Sequence, residues 1–181
     1  MRSAPAGLFR QFDPEQAFEL GARSAAITHG HPSGYLSAGM VAAIVHSLID
    51  GVEIRAAVEE SIRILKGWKE HEELLRVLTM AIELAKAGPG DHPKALHSIG
   101  GGWGGEQALA IALYSVLIAG SYVEAIRIAS NHDGDSDSTA SIAGQLWGAW
   151  KGVEGVPQEW ITRLDVLVPL LHLGRLATDL V

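Results

Sequence analysis

Apolar residues recur at three- and four-residue spacing along nearly the whole chain, and the strict alternation that marks strands is almost absent. Ile54, Val58, Ile62 and Leu65 share one helical face, as do Leu74, Leu75, Leu78, Ile82 and Ala85. A chain with this period buries its apolar side chains by packing helix on helix, so the expected fold class is all-α. Its 181 residues, 48% of them apolar, suffice for one domain with a substantial core over residues 1–181.

The punctuation divides that period into elements. Asp13-Pro14-Glu15-Gln16 places an N-cap Asp, a first-position Pro and a capping-box Gln at the start of a helix expected to reach Ile27. A second helix begins near Ser33 or Ser37 and ends at Gly51. Its apolar run from Ala38 to Ile49 is short and contains His46, so it reads as a buried helix and not as a membrane span. Gly67 separates or kinks the next two segments, and Gly88-Pro89-Gly90 stops the second of them. A loop then leads through Gly100-Gly101-Gly102-Trp103-Gly104-Gly105 into a helix from Glu106 to about Ala119, followed by a short one from Tyr122 to Ser130. Thr139, Ile142, Ala143, Leu146, Trp147 and Trp150 mark a further helix. Pro157 opens a last helical region that Pro169 is expected to interrupt.

Charge and cysteine content narrow the function classes. With 14 basic and 21 acidic side chains the net charge is −7, which argues against nucleic acid as a primary partner. The absence of cysteine rules out a disulfide framework and a thiolate metal site, and is compatible with the cytoplasm, the expected location. Met1 to Leu8 lacks the apolar stretch of a signal peptide, and no membrane association is expected.

The chemistry concentrates in Asn131-His132-Asp133-Gly134-Asp135-Ser136-Asp137-Ser138-Thr139. Three carboxylates on alternate positions repel one another unless positive charge sits among them, and carboxylates with hydroxyls are the donors that hard divalent cations prefer. Helix capping explains one or two of these aspartates, since each gains roughly 0.3–1 kcal/mol from the helix dipole; the third is surplus. An EF-hand loop is excluded, because its sixth position is Ser138 in place of Gly and its twelfth is Gly144 in place of Glu. An aspartyl nucleophile of the phosphatase kind needs a preceding buried strand, whereas Tyr122 to Ser130 has helical spacing.

The run Asp133-Gly134-Asp135-Ser136-Asp137-Ser138, followed by Ile142-Ala143-Gly144 and Gly148-Ala149, resembles the signature of the ADP-ribosylglycohydrolases. In that family the loop is typically Gly-Gly-Asp-Thr-Asp-Thr; here Asp133 replaces the first Gly and serines replace the threonines. Thr28-His29-Gly30-His31, the glycine run 100–105 and the amino-terminal Met-Arg-x-x-Pro-x-Gly pattern are similar to further family segments, so the resemblance covers essentially the whole chain. It implies a compact orthogonal helical domain. It also implies hydrolysis of the glycosidic bond between ADP-ribose and a protein side chain or small ligand. Asp135, Asp137 and Ser138 are then the ligands of a two-ion Mg²⁺ or Mn²⁺ site, with Asp137 bridging. His29, Gly101, Gly102 and Trp103 are the implied substrate contacts: glycine amides for a pyrophosphate at the start of the following helix, and an indole to stack on adenine or shield the cleft.

One departure matters. The family's Thr-Asp-Asp motif, which carries the other half of the metal site and the expected catalytic carboxylate, does not occur in these residues. No catalytic acid or base is therefore assigned within this chain, and the chain is expected to be the carboxy-terminal part of such an enzyme without its amino-terminal helices. His29 and His31, two apart, do not share a helix face, and a histidine that ends a helix is the simpler reading of each. Two further readings stay open: a non-catalytic ADP-ribose- or partner-binding fragment, and aspartates that serve as caps alone. Apolar surface left without its usual cover leads us to expect association with a second copy or with a complementary amino-terminal piece.

Overall fold

The structure, a computed structural model, describes residues 1–88 and 90–179, with side chains through residue 175. After a 3₁₀ turn at Ala4–Leu8 come ten α-helices, and there is no strand among the described residues. They are α1 (Pro14–Ala26), α2 (Pro32–Ile49), α3 (Ile54–Leu65), α4 (Glu72–Lys86), α5 (His92–Ile99), α6 (Gly105–Ile118), α7 (Tyr122–Ser130), α8 (Ser136–Lys151), α9 (Gln158–Thr162) and α10 (Leu167–Asp179).

Two helices, α2 and α6, form the centre. Both are apolar on every side: Met40 through Leu48 and Ala108 through Val116 are buried without interruption, as a helix inside a packed core must be. By length and hydropathy α2 could cross a membrane, but it is wrapped by other helices. Against it lies α1, whose start is fixed by a complete capping box: Asp13 Oδ1 accepts from Gln16 N at 2.8 Å and Gln16 Oε1 accepts from Asp13 N at 3.0 Å. Small residues let the two axes close. A Cβ on Gly21 would lie 2.7 Å from the Ala42 methyl, and one on Gly39 would lie 2.6 Å from the Phe18 ring. Phe18 fills the seam and stacks on Trp68, with ring centroids 5.2 Å apart. On the other side α4 packs on α6, and the α7–α8 pair packs across α6 and α2.

Two expectations about elements are corrected, and the separation expected at Gly67 is found. The stretch expected as a loop before Gly100 contains α5, an eight-residue helix capped by Asp91, whose Oδ1 accepts from Lys94 N at 3.1 Å. Pro169 does not interrupt a helix; it lies in the first turn of α10, where its missing N–H has no intrahelical partner to lose. The break falls earlier, between Thr162 and Leu167. Gly67 sits in a full connection between α3 and α4, and α4 ends at Lys86 with Gly88 at φ +91°; Pro89 of the expected stop lies outside the described residues.

Candidate functional site

The acidic segment forms the turn between α7 and α8, and it is clamped against the glycine run. Asp135 N donates to Gly101 O at 2.8 Å, and Gly134 lies flat on Gly101. A Cβ on Gly134 would overlap the Gly101 carbonyl oxygen and lie 2.6 Å from its carbon, so only glycine fits there. The glycine run is held in turn by α6: Gln107 Oε1 accepts from Gly101 N at 3.1 Å and from Gly102 N at 3.2 Å. Gly100 at φ +136° and Gly102 at φ +74° adopt the left-handed backbone that this reversal requires.

Asp135 occupies the N-cap position of α8, and Ser138 N donates to Asp137 Oδ1 at 2.8 Å. The Asp135 carboxyl is held below the ordinary aspartate value, first by hydrogen bonding with Asp137, then by the Ser138 hydroxyl, with the Ser138 amide and His132 adding to them. Asp137 and Ser138 thus lie beside the Asp135 carboxyl, although Asp137 is itself exposed and off the cleft wall. Asp133 is exposed and stands apart from the cleft wall. Two touching carboxylates and a hydroxyl are suitable donors for a hard cation, but they fall short of a full oxygen shell. Among the described residues no cluster of three or more His, Asp or Glu is placed to hold a metal.

Asp135 and Ser138 open onto a cleft of about 340 Å³, whose wall also includes His29, Gly102, Trp103, Gly105 and Arg2. That volume suits a small ligand or part of a larger one. Three distant stretches of sequence therefore meet at one mouth. Trp103 is 77% exposed at the rim and leans over Gly101. His29 follows the end of α1, with Nδ1 2.8 Å from Thr28 Oγ1, which also accepts from Arg2 Nη2 at 3.0 Å. His31 does not share that site: it caps α2, its Nδ1 accepting from Ser33 N at 3.3 Å.

The glycine run differs from the expectation in one respect. Gly101 is not on the cleft wall, and the amides of Gly101 and Gly102 are both taken by Gln107. The Glu106 carboxylate also folds against Gly104 at the start of α6, where an anion was expected. The only permanently cationic side chain on the cleft wall is Arg2, which forms no ion pair among the described residues. Arg2 had no assigned role in the sequence, although it sits in the Met-Arg-x-x-Pro-x-Gly pattern. Gln107 and His132 were missed outright.

A family model described as ADP-ribosylglycohydrolase matches residues 1–181. The chain is 26% identical over 180 residues to the ADP-ribosylarginine hydrolase Tri1 of Pseudomonas putida (strain GB-1), covering 99% of this chain and 44% of that protein. It is 27% identical over 180 residues to the Tri1 of Serratia proteamaculans (strain 568), covering 99% and 44%. Against the ADP-ribosyl-[dinitrogen reductase] glycohydrolase of Rhodospirillum rubrum it is 25% identical over 169 residues, covering 93% of this chain and 50% of that protein. The chain spans about half the length of the curated relatives it matches.

Proposed function

We propose a function from one premise, that the chain belongs to the ADP-ribosylglycohydrolase family. The cleft takes the ADP-ribose end of an ADP-ribosylated protein side chain or small conjugate, at a centre where water replaces that group at C1 of the ribose. In this hydrolysis the C1 bond to the leaving nitrogen or oxygen breaks, the water oxygen bonds to C1, and the water proton leaves with the departing group. Asp135, Asp137 and Ser138 would hold Mg²⁺ or Mn²⁺ in a two-ion site that they complete only in part. Such ions, when bound, polarise the substrate and acidify a water.

The residues of this chain divide the remaining work by charge. Arg2 offers the positive charge for the diphosphate, in place of the occupied glycine amides. Trp103 gives an exposed face for the adenine or closes the cleft against water. His29, oriented through Thr28, makes a polar contact with the sugar. Asp135 is the one carboxylate on the described cleft wall and is engaged with Asp137 and Ser138, so no residue here is assigned as general acid or base. The same fact favours a second reading, in which the chain binds ADP-ribose or a partner without cleaving anything.

The observation that supports the reading is the meeting of the aspartate turn, the glycine run and the His29 segment at one cleft. The test is calorimetric titration with Mn²⁺ and Mg²⁺, with an Asp135→Ala/Asp137→Ala double variant as control. It is followed by incubation with ADP-ribosylated arginine and chromatography of released ADP-ribose. Cation uptake in the wild type alone, with release of ADP-ribose, supports the hydrolase. Cation uptake without release favours the binding reading. Equal affinity in wild type and variant refutes the ligand assignment.

A further inference from the structure

His132 belongs to the aspartate turn, yet neither the sequence reading nor the proposed chemistry uses it. Its Nε2 lies 3.0 Å from Thr139 Oγ1, and its Nδ1 is buried with no hydrogen-bond partner among the described residues. Thr139 is fully buried, and its hydroxyl has one proton to give. The carbonyl of Ala129, at 2.6 Å, is the closest acceptor; those of Ser136 and Asp135 stand at 3.1 and 3.3 Å. With its proton committed to Ala129, the Thr139 oxygen can only accept from His132, so the imidazole carries hydrogen on Nε2. A hydrogen on Nδ1 would be a buried donor with nothing to receive it. The hydrogen that faces Thr139 is therefore fixed on Nε2.

The same ring supports both loops of the site. A Cβ on Gly102 would lie 2.9 Å from the Thr139 methyl and 3.7 Å from His132 Cε1, so the glycine run rests on this pair. The turn from Asp133 to Asp137 leaves α7 beside His132 and enters α8 beside Thr139. One N–H···O bond across seven residues closes it.

We propose that His132, its Nε2–H bonded to Thr139, is a positioning residue that holds Asp135 and Asp137 together for cation capture. It touches neither cation nor substrate and acts through the shape of the turn, as partners outside the ligand shell do in metal sites. The inference rests on the proposed metal role of the two aspartates.

The test compares His132→Phe, which keeps a ring but has no N–H, with His132→Gln, whose side-chain amide can still donate to Thr139. Mn²⁺ affinity, melting temperature and the imidazole ¹⁵N signals of the full chain are measured together. His132→Phe should weaken Mn²⁺ binding about 10–100-fold, while His132→Gln restores most of it at a melting temperature close to that of His132→Phe. Equal Mn²⁺ affinity in His132→Phe and wild type overturns the proposal. So does a ¹⁵N pattern that places the hydrogen on Nδ1 and none on Nε2, or recovery that merely follows melting temperature. If the wild type takes up no Mn²⁺, the metal reading fails and exchange of the Asp135 amide decides the role of His132. Faster exchange in His132→Phe than in His132→Gln supports the turn-holding role, and equal exchange overturns it.

Discussion

Replacing Gly134 by Ala inserts one methyl group where the structure has no room. The added carbon would overlap the Gly101 carbonyl oxygen and lie 2.6 and 2.8 Å from the carbonyl carbon and Cα of the same residue. All three atoms belong to backbone, and that backbone is pinned from behind by Gln107. Relief therefore requires the two loops to separate, which breaks the 2.8 Å bond from Asp135 N to Gly101 O. Losing that bond costs about 1 kcal/mol, and residual overpacking adds roughly 1–3 kcal/mol. For a chain of this length the total of roughly 2–4 kcal/mol lowers the melting temperature by roughly 5–15 °C. Because the separation moves Asp135, Mn²⁺ affinity should fall as well. Gly148→Ala is the control: a Cβ there meets nothing within 4 Å, and alanine in the last turn of α8 should stabilise by up to about 0.5–1 kcal/mol. Thermal and urea unfolding followed by circular dichroism, with Mn²⁺ titration of each variant, reads both. A Gly134→Ala protein that melts within about 1 °C of wild type and binds Mn²⁺ equally would refute the clamp between the loops.

Phe18→Ala should destabilise by roughly 3–5 kcal/mol in urea unfolding, since the ring is fully buried between α1, Gly39 and Trp68. A loss below about 1 kcal/mol would mean that the seam is not closed by that ring. The Asp135 carboxyl is held below its usual 3.8, so its contribution to stability is complete above that pH and is lost as pH falls through the lower folded value. In an acid titration of melting temperature, Asp135→Asn should show a shallower limb below that point, by a small margin because the group is partly exposed and screened. An identical limb would contradict the stated cause. Val168, Leu170, Leu171 and Leu173 on α10 are at least half exposed, which predicts association that grows with concentration in light scattering and falls in Leu170→Glu/Leu171→Glu. A wild-type monomer at high concentration would contradict that.

Long apolar periods translate directly into buried faces, so α2, α4, α6, α7 and α8 were legible to within a residue or a turn. The eight residues of α5 bury only Leu96 and Ile99, too few to show a period. Its signal was the Asp91 cap with Pro93 behind it, the device that marked α1. At the site, Asp135 and Ser138 could be read because adjacent residues on one turn share a surface whatever the rest of the fold does. The bonds from Gly101 and Gly102 to Gln107 could not, because they depend on the left-handed backbone at Gly100 and Gly102. The pairing of His132 with Thr139 is hidden for a similar reason: both residues look like ordinary members of a polar loop until the turn is folded.

Gln107 grows from the first turn of α6, the same helix whose next nine residues make up the middle of the core. Two glycine amides hang from its side chain, and the aspartate turn hangs from the carbonyl between them. Interior substitutions that slide or roll this rod by a fraction of an ångström would carry the carboxylates with it. Sequence drift among deeply enclosed alanines and leucines could then tune ion affinity across relatives without touching a single polar residue.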